Sequence, residues 1–164
     1  MSSVIQGFEY DIFISYRQKD NLPSAGGGGM QHQEGWVTGF VEALKNELSA
    51  SFKEDISVYF DVNPHDGLQD THDVDGSLEG KVKCLVFMPV LSRIYCDPAS
   101  FAWEKEFLAF LSFAREDSFG LKVKLSGGNV AGRVLPVRIH DLDPEDVTLF
   151  EKETGSVLRP VDFV

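Results

Sequence analysis

Apolar residues along this 164-residue chain follow two alternating rhythms. Residues 10–16 read Tyr-Asp-Ile-Phe-Ile-Ser-Tyr, a β-rich run with apolar side chains on both faces, and predict a strand covered on both sides. Trp36, Val37, Phe40, Val41, Leu44 and Leu48 then recur at helical spacing, with Glu42, Lys45 and Glu47 between them. That pattern predicts an amphipathic helix of about four turns. Residues 56–60 (ISVYF) predict a second strand, and 84–91 (CLVFMPVL), the most apolar segment, a central one. Pro89 cannot donate to a ladder and belongs near that strand's end. Trp103, Phe107, Phe110, Leu111 and Ala114 return to helical spacing, and 134–139 (VLPVRI) predict a fourth strand. Residues 144–153 predict a helix with Asp143 as cap and Pro144 in its first turn. A short helix over 77–83, capped by Ser77, and a last strand over 161–164 complete the series.

Strand and helix therefore alternate, which implies crossover connections and an α/β fold: a mostly parallel five-stranded sheet with helices on both faces. Ligands in such sheets bind beyond the carboxyl ends of the strands. That rule singles out residues 17–35, 61–76 and 92–103. The first of these contains four consecutive glycines, 26–29, and reads as a flexible loop.

Size and charge narrow the picture. A chain of this length suits one domain, here residues 10–164 after a tail over 1–9, and buries about two thirds of its unfolded surface. With 26 acidic and 15 basic residues the net charge is −11, which disfavours nucleic acid and anionic membranes as partners. Cys84 and Cys96 share no metal-type spacing and read as free thiols of a reducing compartment. The opening MSSVIQGFEYD lacks the basic-then-apolar pattern of an export signal, and no apolar run approaches the ~20 residues of a membrane span. A soluble, cytoplasmic protein is the expectation.

Several chemistries drop out. The first strand is followed by Arg17-Gln18-Lys19-Asp20 rather than a Gly-x-Gly-x-x-Gly turn, and neither a phosphate-binding P-loop nor a Gly-x-Ser-x-Gly elbow occurs. His65 and His72 share a loop with Asp61, Asp66, Asp70, Asp73 and Asp75, but their spacing fits no standard metal site, so no metal is expected. His32 suggests no site, and His140, ending a strand, reads as structural. The stretch from Ser92 through Glu106 is more informative. Glu106 follows Trp103 by three residues and shares its largely apolar helix face. Glu104 lies about 160° around the helix from it and suits the solvated side. On these residues alone, a desolvated carboxylate and an ordinary glutamate beside a core tryptophan both remain open.

Three boxes in register then carry a resemblance. Tyr10-Asp11-Ile12-Phe13-Ile14-Ser15-Tyr16-Arg17 opens the chain; Val58-Tyr59-Phe60-Asp61 precedes Gly67; Ser92, Tyr95, Trp103 and Glu106 surround the third helix. Together they resemble the TIR (Toll/interleukin-1 receptor) domain family, in its bacterial NAD⁺-cleaving branch, over residues 10–164. The resemblance implies a flavodoxin-like three-layer fold and an NAD⁺ nucleosidase yielding nicotinamide and linear or cyclic ADP-ribose. It implies NAD⁺ as substrate rather than cofactor, and no other cofactor. Glu106 becomes the catalytic carboxylate and Trp103 shapes the pocket. Arg17 faces the diphosphate, residues 61–67 form the gate, and Ser15, Tyr16, Asp61, Gly67, Ser92 and Tyr95 complete the substrate-binding set. It also implies activation by homotypic self-association, a fused or associated nucleotide-sensing module, and a place in anti-phage defence or signalling.

Two departures stand out. The family commonly spaces tryptophan and glutamate four apart, against three here, which keeps Glu104 in contention although helix facing favours Glu106. The loop after Asp61 is also extended by residues 72–76. A non-catalytic TIR scaffold shares fold, compartment and self-association and differs in not needing Glu106. A response-regulator reading fits the alternation of elements but lacks the acidic pair near the first strand.

Overall fold

The computed structural model describes residues 3–22, 35–61, 82–124 and 130–164. Its order of elements is β1 (Tyr10–Ser15), a 3₁₀ turn (Gln18–Asn21), α1 (Trp36–Ser51), β2 (Val58–Tyr59) and β3 (Cys84–Leu91). A π-helical segment, Ala102–Phe107, then runs directly into α2 (Leu108–Glu116). The hairpin strands β4 (Lys122–Lys124) and β5 (Val130–Gly132) follow, then β6 (Val137–Arg138), α3 (Pro144–Thr154) and β7 (Val161–Asp162). The main sheet has five parallel strands in the order β2-β1-β3-β6-β7. This is the expected α/β, flavodoxin-like architecture.

The period-2 alternation of strands divides the core into two layers. Phe13, Phe87 and Leu91 face one side, where Trp103, Phe107, Phe110 and Leu111 of the helical stretch and Phe150 of α3 cover them. Ile14, Met88, Val90 and Val137 face the other, where Val37 and Val41 of α1 lie. Aromatic stacking carries much of the first layer: Phe13 lies 5.3 Å from Phe87, Phe87 lies 5.0 Å from Phe110, and Phe107 lies 5.1 Å from Phe150.

Helix ends are tied by side chains drawn from elsewhere. Gly35 offers α1 no capping group, and Asn21 Oδ1 instead accepts the free Thr38 N–H at 2.9 Å. A Cβ on residue 35 would collide with the Asn21 carbonyl, so only glycine permits this approach. Helix α3 closes on Gly155 in the left-handed region, φ 72°.

Boundaries differ from expectation where pairing, rather than composition, decides them. The second, fourth and fifth strands are each trimmed to two residues, with Val134 reaching Phe87 only as an isolated bridge. Pro136 lacks the N–H that a longer ladder would require. The hairpin β4–β5 was not expected: its six residues pair antiparallel, apart from the main sheet. Most of the short helix expected over 77–83 falls outside the described residues. Both cysteines are free, and Cys96 is buried in the apolar core although its loop is polar in sequence. No helix among the described residues is long and apolar enough to cross a membrane.

Candidate active site

The order in which strands are added reverses beside β1. The chain leaves β1 through α1 to β2 on one flank, then returns to β3 on the other. Ser15 ends β1 in register with Pro89 of β3. The crevice beyond the carboxyl ends of β1 and β3 is therefore the topological switch point, where α/β sheets bind ligands. Ser15 shares the face of Phe13, two residues earlier, so its hydroxyl points toward the helical stretch that carries Glu106.

The Ser15 hydroxyl donates to Glu106 Oε1 at 2.8 Å, and its oxygen lies 2.8 Å from the Tyr95 hydroxyl. Glu106 is only 6% exposed. Ser15 and Tyr95 are fully buried. Glu104, two residues earlier, is exposed. The π-helical turn contributes here, because its i→i+5 bonding, seen in Leu108 N–H to Trp103 O, widens the helix where Trp103, Glu106 and Phe107 all enter the core. Nothing in the letters WEKEF separates such a turn from an α-helix.

The remaining expected residues gather around this centre. Trp103 is 2% exposed and belongs to the core, its ring 6.3 Å from Tyr95 and 4.7 Å from Phe107. It supports the Tyr95 ring. Tyr16 donates its hydroxyl to the Asp61 carbonyl, and the Tyr59 hydroxyl lies 3.5 Å from Asp61 Oδ2. Arg17 donates from Nη1 to the Ile94 carbonyl at 2.7 Å and pairs with Asp97 at 3.5 Å. It thereby holds the loop between β3 and the helical stretch. Ser92 donates to Asp20 and accepts the Ile94 N–H at 3.3 Å. His140 Nδ1 accepts the Arg93 N–H at 3.2 Å. Gly67, His65 and His72 lie outside the described residues.

Burial holds all three nearby phenols protonated. The Tyr16 and Tyr59 hydroxyls are pushed well above the ordinary tyrosine value by burial first, then by the negative charges of Asp61 and Glu106. Tyr95 is raised by burial, with Glu106 adding to the shift against the opposing Ser15 hydrogen bond. Glu106 thus exerts its charge on three tyrosines at once.

Comparison with protein-family models and with curated proteins finds no match. The chemistry of the site is therefore argued from its own groups. Among the described residues no group of three or more His, Cys, Asp or Glu is arranged to hold a metal ion. What this rim of the sheet offers is one inward carboxylate, the Ser15 hydroxyl on it, the Tyr95 hydroxyl behind that serine, and neutral phenols around them. Tyr59, named only within its box, and Asp20 and Asp97 are not among the expected site residues. Tyr59 carried the one available signal, a tyrosine ending a strand at the switch-point rim.

Proposed function

We propose that this chain is a TIR-type NAD⁺ nucleosidase in which Glu106 is the catalytic carboxylate. The observation that carries the reading is the position of that carboxylate: 6% exposed, at the carboxyl rim of the sheet, and hydrogen-bonded by the last residue of β1. In NAD⁺ the nicotinamide nitrogen is already cationic. Breaking its bond to ribose C1′ returns the bonding pair to that nitrogen and frees neutral nicotinamide, so no general acid is needed. Positive charge develops on the ribose as an oxocarbenium-like centre, and a fixed anion beside it lowers the barrier. Water then bonds to C1′ and releases a proton, giving ADP-ribose; an adenine nitrogen of the same molecule in place of water gives a cyclic product. Three boxes in register support the TIR assignment, and the parallel sheet order is the one that assignment requires. Self-association completes the cleft, and a nucleotide-sensing module drives it.

One observation also favours a scaffold reading. A carboxylate this buried and bonded to Ser15 would serve equally as a structural tie between β1 and the helical stretch. Chemistry separates the two. Concentrated or crowded protein given NAD⁺ should release nicotinamide, and Glu106→Gln should reduce release by about 100-fold or more, the loss expected for one electrostatic stabiliser. A wild-type chain that is oligomeric yet releases none leaves only the scaffold.

A further inference from the structure

Two hydroxyls lead in series to Glu106: Ser15 touches the carboxylate and Tyr95 touches Ser15. A serine hydroxyl has one proton to give and lone pairs with which to accept. Ser15 spends its proton on Glu106 Oε1 at 2.8 Å. The Tyr95 hydroxyl, 2.8 Å from the same Ser15 oxygen, must then be the donor in that contact. With Glu106 ionised and therefore able only to accept, the order is phenol to serine to carboxylate. Both donors come from different parts of the chain, the end of β1 and the loop after β3, and both are fully buried. They reach a substrate only through Glu106.

We propose that Tyr95 and Ser15 are positioning residues that form a two-hydroxyl relay, holding Glu106 ionised and oriented in the cleft. A donor aimed at a carboxylate favours its charged form, whereas burial alone favours the neutral acid. Chained hydrogen bonds polarise one another, so the phenol strengthens the serine's bond to the carboxylate. Burial keeps the Tyr95 phenol protonated across the working range, and the relay has its proton at every relevant pH. Trp103, against the Tyr95 ring at 6.3 Å, fixes the phenol's direction, which places the tryptophan two steps behind the carboxylate. The catalytic meaning of the relay rests on the NAD⁺ reading; its geometry does not.

Side-chain carboxyl NMR of ¹³C-labelled glutamate tests this on the intact chain, with the Glu106 resonance assigned by its loss in Glu106→Gln. Ser15→Ala should raise the titration midpoint of that resonance by about one to two pH units, the worth of a hydrogen bond to a charged group. Tyr95→Phe should raise it by less, and Ser15→Cys, a weaker donor of similar shape, should fall between wild type and Ser15→Ala. Where nicotinamide release is present, the acid limb of its kcat/KM profile should move up in the same order. A merely structural role would lower stability without moving midpoint or limb. An unchanged midpoint in both Ser15→Ala and Tyr95→Phe overturns the relay. If Ser15→Ala does not fold, Tyr95→Phe, which loses only the hydroxyl, decides alone. Shifted midpoints in a chain that never releases nicotinamide would keep the relay and remove the nucleosidase reading.

Discussion

Among the buried charged residues, Arg133 and Glu106 lie near opposite ends of the sheet, and their surroundings differ in kind. Arg133, 4% exposed, lies by the amino end of β3. Its Nε donates to the Leu85 carbonyl at 2.8 Å and its Nη2 to the Cys84 carbonyl at 2.9 Å. Its Nη1 reaches both Asp117 oxygens, at 2.9 and 2.7 Å, and the Gly120 carbonyl at 2.8 Å. The rings of Phe8, Phe110 and Phe119 stand 5.6, 5.5 and 5.9 Å from the guanidinium. Glu106, at the opposite rim, accepts from the Ser15 hydroxyl, which the Tyr95 hydroxyl backs. Backbone carbonyls and a carboxylate in fixed places make a closed structural lock. Hydroxyls, which can turn and re-donate, suit a group whose partner changes when substrate arrives. A buried charge alone is no sign of function; the company it keeps is.

That contrast breaks first at Arg133. Arg133→Ala removes the counter-charge of Asp117, leaving that carboxylate the Phe119 and Gly120 N–H groups, and takes a donor from three carbonyls; it should cost about 3–5 kcal/mol. A chain of this size would then melt lower by about 6–20 °C. Replacing Asp117 with leucine in the same variant should recover part of the loss, since removing both partners is milder than removing one. Glu106→Gln should instead hold or raise the melting temperature, because it removes a charge that burial disfavours. Calorimetry on the two variants compares them directly, and an equal drop in both would make the two ends alike.

A smaller effect is expected at Asp11, a third buried charge. Burial pushes its carboxyl up, but the Ser3 hydroxyl, the Ser57 and Val4 N–H groups and the Ser57 hydroxyl outweigh that and hold it below the ordinary 3.8. The stabilisation it gives is present above the unfolded value and is lost as pH falls through the folded one. The urea midpoint should therefore drop between about pH 5 and about pH 3, and less steeply in Asp11→Asn. Least of all should come from Arg138 and Asp162, an exposed pair joined across β6 and β7. Arg138→Ala should leave the melting temperature unmoved, as solvent screening of surface pairs implies.

What was legible in the sequence follows from the range of the interactions. Local rhythm is enough for α1, whose stripe of Val37 and Val41 is buried as spaced, and for β3, whose eight residues match the apolar run. Helix facing placed Glu106 inside and Glu104 outside, which the burial of each bears out. The second, fourth and fifth strands were legible but not their ends, which pairing sets, and β4 and β5 escaped because three residues hold little periodicity. The lock at Arg133 escaped because Asp117 lies 16 residues away and carbonyls leave no trace in composition. The relay escaped for the same reason: Ser15 meets Tyr95 and Glu106 across separations of 80 and 91 residues. Boxes could nominate those three residues, but only the fold brings their oxygens together.

Glu106 and its exposed neighbour Glu104 sit two residues apart with the same chemistry and opposite surroundings. Nicotinamide release from NAD⁺, measured side by side for Glu106→Gln and Glu104→Gln under conditions where both self-associate, isolates the inward carboxylate. Release lost in the first and kept in the second is the expected result; an active Glu106→Gln beside a silent Glu104→Gln would contradict it.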